Sequence, residues 1–264
     1  DGSYVASLDY EGGMERDVLI ANGAAVSNVM FRGRDGADVL AINGWDAQDV
    51  SFAGDSGNDL LVVAGGQASA IVFDAGADND RYLIWDAATG AENLQFIAGD
   101  GDDLLDNAAA QLESVHMTAG PGDDVFRNTG WQVGTVLVDG GDGSDLVDSR
   151  GDAIGNLVFD GGADDDTFFN QGNAFGTLVF LGSDGDDNLV NVGSHGQQLQ
   201  FTGGNGQDAL TNSGDAAESL EFLGDAGHDR YQNNGDDIQN LVFYGGTGND
   251  ALQQNGQRLA NLVF

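Results

Sequence analysis

The chain has 264 residues, 41% of them apolar, and carries 44 acidic residues against 8 arginines and no lysine, for a formal net charge of -36. The apolar share excludes disorder, and the acidity excludes nucleic acid and anionic membranes as partners and makes cations the natural counterpart. No cysteine is present, which removes disulfides and thiolate metal sites, and no apolar run is long enough to span a membrane.

The chain opens at Asp1 without a signal-peptide pattern, which points to a processed or excised piece. After seven residues the first of a series of 21-residue repeats starts at Leu8, and others start at 29, 50, 71, 94, 115, 136, 157, 178, 199, 220 and 241. A two-residue insertion between Trp85 and Gly90 stretches the fourth, and a thirteenth begins at Leu262. The first four repeats are apolar at position fourteen: Ala21, Ile42, Val63 and Ile84. From the fifth onward that place is polar: Asn107, Asn128, Ser149, Asn170, Asn191, Asn212, Asn233 and Gln254. These are read either as a stacked amide ladder inside the coil or as ordinary turn residues.

Other columns keep their chemistry throughout. Position one is aliphatic, position three is mostly Phe, and position twelve is apolar in every repeat. Position ten is aspartate in all twelve repeats. The triplet Leu157-Val158-Phe159 has strand periodicity, as does the Asp-x-apolar run at positions ten to twelve, and no useful stretch has helical spacing. A fixed period of this length means stacked coils. The expectation is an all-β, right-handed parallel β-solenoid of about twelve coils, one domain over residues 1–264 and about 58 Å long at the usual strand spacing.

Of the 44 acidic residues, 29 lie at positions four to ten, so one edge of the rod is acidic. Position-ten aspartates one coil apart would repel by roughly 3.5 kcal/mol at an effective dielectric of 20. They share strand parity with the buried position twelve, where water screens them less. The arginines are scattered over several columns, so a bound metal is left to neutralise the ladder. Carboxylates and carbonyls are hard oxygen donors that select Ca²⁺, and glycines let backbone carbonyls converge on it. The candidate ligands are Asp17, Asp38, Asp59, Asp80, Asp103, Asp124, Asp145, Asp166, Asp187, Asp208, Asp229 and Asp250.

The stretches GGDGSDLVD at 140–148, GGTGNDALQ at 245–253 and AGDGDDLLD at 98–106 resemble the GGxGxDxUx nonapeptide of the RTX, or haemolysin-type, calcium-binding repeats. The resemblance implies Ca²⁺ between successive turns, held by the Asp side chain and glycine-turn carbonyls, and it implies secretion. It covers the turn of each repeat and not the rest of the coil, so ions are expected along one edge only. Repeat one reads GGMERD, repeat two GRDGAD, and repeats four and eight place Asp78 and Asp164 where the motif has the glycine two places before its Asp.

Phosphate-binding loops are excluded by the missing helix start and lysine, and no window supplies the acidic spacing of an EF-hand. The bland alternative is that Gly and Asp simply make good turns. His116, His195 and His228 fall at positions two, eighteen and nine of different coils and form no constellation, so no catalytic activity is expected. Trp45, Trp85 and Trp131 sit in the second turn of repeats two, four and six, where they either pack over their turns or offer glycans a stacking row. A regular Thr ladder, as ice binding requires, is absent. The function expected is a calcium-binding structural or adhesive protein at the cell surface or outside the cell: part of a surface layer, adhesin or filament. Its open ends would continue into a longer array or self-associate. The alternative is a carbohydrate-binding module of a secreted polysaccharide-active enzyme.

Overall fold

The computed structural model describes residues 4–85 and 90–264; the insertion between Trp85 and Gly90 lies outside the described residues. Among the described residues there are strands, turns and no helix. Each coil contributes one strand to a 15-stranded sheet and one to a 12-stranded sheet, and every pairing is parallel. In coil seven these strands are Thr135–Asp142 and Leu146–Ser149. They pair in register with the next coil, Val136 beside Leu157, Val138 beside Phe159 and Val147 beside Phe168. The 21-residue period is thus a stacking period, and the chain is a parallel β-solenoid of about twelve turns.

Register is held by the core, because a slip of one residue would turn every buried side chain of a strand outward. Positions one, three, twelve and nineteen point in. In-register stacking puts like side chains one strand spacing apart, so the position-three rings stack on one another. Centroids lie 4.8 Å apart for Phe31 and Phe52, 4.6 Å for Phe52 and Phe73, and 5.2 Å for Phe73 and Phe96. A second stack runs from Phe159 through Phe180, Phe201 and Phe222. Met117 and Val138 separate the two stacks.

The strands differ from the sequence expectation at their ends. The strand expected at positions one to three runs on through the glycines to position seven, and the one expected at ten to twelve covers eleven to fourteen. The reason is the positive-φ backbone of the corner: Gly141 and Gly143 have φ of 114° and 125°, and Ser183 and Asp164 hold the same two columns at 79° and 75°, so the chain bends without breaking the pairing of coil on coil. Asp145 therefore stands at the corner just before its strand.

Position fourteen is buried in both halves of the rod. From the fifth coil it forms an amide ladder: Asn191 Nδ2 donates to Asn212 Oδ1 at 2.6 Å and to the Gly193 carbonyl at 3.0 Å, and Asn212 repeats this with Asn233 and Gly214. Both readings of the column hold together, since one amide bridges coils and ties its own turn.

Candidate metal centre

All twelve position-ten aspartates stand at one corner of the rod, one above another. Asp38 to Asp229 are buried, with 3% exposure or less, while Asp17 and Asp250 at the two ends are half-buried. Their burial follows from the sequence: position twelve is a core residue, and a residue two places earlier shares its side. Position five opposite is always glycine or alanine, which leaves room for the carboxylate. A methyl added at Gly140 would overlap Asp145 Oδ2.

Each carboxylate uses its two oxygens differently. Oδ1 accepts the backbone N–H of the aspartate one coil earlier, from 2.6 Å for Asp17 N–H to Asp38 to 3.1 Å for Asp229 N–H to Asp250. Eleven such bonds link the column. Oδ2 of the ten buried aspartates, Asp38 through Asp229, has no hydrogen-bond partner. In several coils the carbonyl oxygen of position five one coil on borders the same space: the methyl that would overlap Asp145 Oδ2 would also overlap the Gly161 carbonyl, and at Gly182 it would approach the Gly203 carbonyl to 2.5 Å. Two kinds of acceptor thus share a buried space with no donor assigned to Oδ2.

Burial dominates the ionisation of the ladder. Desolvation raises the pKa of Asp103 and Asp187 to about 6, of Asp59, Asp145 and Asp208 to about 7, and of Asp80, Asp124 and Asp166 to about 8. The hydrogen bond from the neighbouring backbone N–H opposes that rise, and nearby carboxylates add to it. A cation or a proton relieves the same imbalance. The donor set fits a hard cation: it is oxygen alone, a carboxylate beside backbone carbonyls. Among the described residues no three His, Asp or Glu side chains converge as a ready-made cage, so ligation would draw on carbonyls as well.

Sequence reasoning missed two other ladders, both on exposed turns. At position nine the bonds run opposite to those of position ten: Asp123 N–H donates to Asp102 Oδ1 at 3.1 Å, Ser144 N–H to Asp123 at 2.9 Å and Asp186 N–H to Asp165 at 2.7 Å. At position seventeen Asn173 N–H donates to Asp152 at 2.7 Å and Asp236 N–H to Asp215 at 2.7 Å. Their common signal is a short acceptor side chain in one column. Much of the edge acidity is thereby assigned to backbone N–H groups that the turns leave unpaired.

The histidines stay apart, and His228 Nδ1 accepts the Asn249 N–H at 2.9 Å within the position-nine ladder. Trp45, Trp85 and Trp131 are 75%, 54% and 52% exposed, and Trp45 leans on Gly66 of the next coil, where an added methyl would meet its ring at 3.1 Å. Neither a family model, nor a curated protein, nor a solved structure matches this chain.

Proposed function

We propose that the protein is a calcium-stapled structural rod that works outside the cell, as part of a surface layer, adhesin or filament. The observation that carries this reading is the column of ten buried carboxylate oxygens without a partner. A fold that buries so many acids needs a compensating positive charge or proton at each, and no lysine is available to supply it. Carboxylates of the column between Asp38 and Asp229 would hold the ions together with position-five carbonyls, and the resemblance of the turns to RTX repeats supports the choice of Ca²⁺. Bound calcium supplies charge neutralisation and cross-links neighbouring coils. At sub-micromolar cytosolic calcium the ladder would keep the chain loose, and at millimolar levels outside the cell it would close. Circular dichroism and thermal melts in calcium and in chelator test this. A β signal that appears or stabilises strongly with calcium is the expected result, and identical melts in both would overturn it.

A second reading, a glycan-binding module, draws on the three exposed tryptophans. Its test is glycan binding before and after Trp45→Ala and Trp131→Ala.

A further inference from the structure

The rungs of the aspartate ladder are not equivalent. Nine repeats carry glycine at position five, and three consecutive ones, coils four to six, carry Ala75, Ala98 and Ala119. All three methyl groups are buried, with exposure of 1% or less. In a glycine coil the carboxylate lies flat against the position-five backbone, in space a methyl would occupy. At Gly161 an added Cβ would overlap Oδ2 of Asp166, approach its Cγ to 2.7 Å and its Cβ to 3.0 Å. Gly140 and Gly203 show the same overlap with Asp145 and Asp208.

In an alanine coil a methyl fills that space, so there is less room beside the carboxylate for an ion, while Oδ1 keeps its bond from the preceding coil and Oδ2 stays buried without a partner, as in the glycine coils. The methyl also crowds the second donor, since the point it occupies is the one bordered by the position-five carbonyl of the following coil.

We propose that position five decides which rungs bind calcium: glycine rungs take the ion, and the alanine rungs of Asp80, Asp103 and Asp124 do not. The calcium column is then split into two blocks by an ion-free middle. This inference rests on the calcium reading above and goes beyond it by assigning the sites.

The test is calcium stoichiometry by equilibrium dialysis on the full chain, with circular dichroism as the fold control. Gly161→Ala is expected to bind one ion fewer than the parent, and Ala98→Gly one ion more. Both substitutions suit the backbone, since φ is unremarkable at Gly161 and other coils of the rod carry each residue at this position. If Gly161→Ala misfolds, Ala98→Gly still decides, because it removes a methyl and adds no bulk. Unchanged stoichiometry in the folded variants would overturn the assignment. A parent chain that binds no calcium would instead overturn the calcium reading beneath it.

Discussion

Coils one to four and coils five to twelve share a period, a phenylalanine column and an aspartate edge, yet they close their second corner in two ways. In the first block the inner residue is Ile42, Val63 or Ile84, and the strands of the first sheet are 11 residues long, as in Asp46–Ser56. In the second block it is polar, asparagine in most coils, and most of the strands are 8 or 9 residues long, as in Thr177–Asp184 after Asn170. The left-handed residue moves as well. It is Asn28, Asp49, Ala70 and Asn93 at the end of the early repeats, and Gln132, Ala153, Ala174 and others at position eighteen of the later ones. The shift follows the change from an aliphatic to a polar residue: in the asparagine coils Nδ2 holds the carbonyl two residues on, and coil seven makes the same corner with Ser149 and a left-handed Ala153. The aspartate edge is the same in both blocks, so it is not dictated by how the other corner is packed.

Four measurements would break or sharpen that contrast, beginning with the largest expected effect. The ladder runs through both blocks, with burial raising Asp59 and Asp80 in one and Asp124 and Asp166 in the other. A carboxylate whose folded pKa is raised gives stability that is complete below its unfolded value near 4 and lost as pH rises through the folded value. Without calcium, the denaturation midpoint should therefore fall steadily between pH 5 and pH 8, and hydrogen exchange should show both blocks loosening together. Calcium should restore the midpoint at pH 8, and a flat pH profile in chelator would contradict the burial of the acids.

Exchanging the two corner solutions comes next. Ile42→Asn puts an amide into a column with no amide above or below it, and the lost apolar burial plus an unsatisfied polar group should cost about 4 kcal/mol. Asn191→Ala removes the amide that accepts from Asn170 and donates to Asn212 and to the Gly193 carbonyl, and should cost about 3 kcal/mol by urea denaturation. Equal tolerance of both changes would mean that the column does not set the corner. The smallest effect is a gain. Ser149 interrupts the amide ladder, and its Oγ and the Oδ1 of Asn170 are buried without partners. Ser149→Asn should complete the row and stabilise the fold by about 1 kcal/mol.

Much of this was legible in the sequence because in-register stacking copies chemistry from coil to coil. Twelve aspartates at position ten and the phenylalanines at position three gave the period, the burial of the acid and the acidic edge. The apolar-to-amide change after Ile84 marked the boundary between blocks. The strand ends were not legible, since glycines such as Gly140 and Gly141 read as turn yet lie within the strand. Nor was the division of labour between Oδ1 and Oδ2, which depends on the offset between one coil's backbone and the next coil's side chain. The ladder at position seventeen was hidden because Asp152, Asn173, Ser194 and Asp215 differ in charge and share only a short acceptor.

The most direct test of the calcium-stapled ladder is an anomalous-difference map from crystals grown in calcium. The account predicts peaks between rungs, at about 2.3–2.6 Å from the Oδ2 atoms of the glycine coils. Buried carboxylates in an otherwise well-ordered map with no peak along that edge would contradict it.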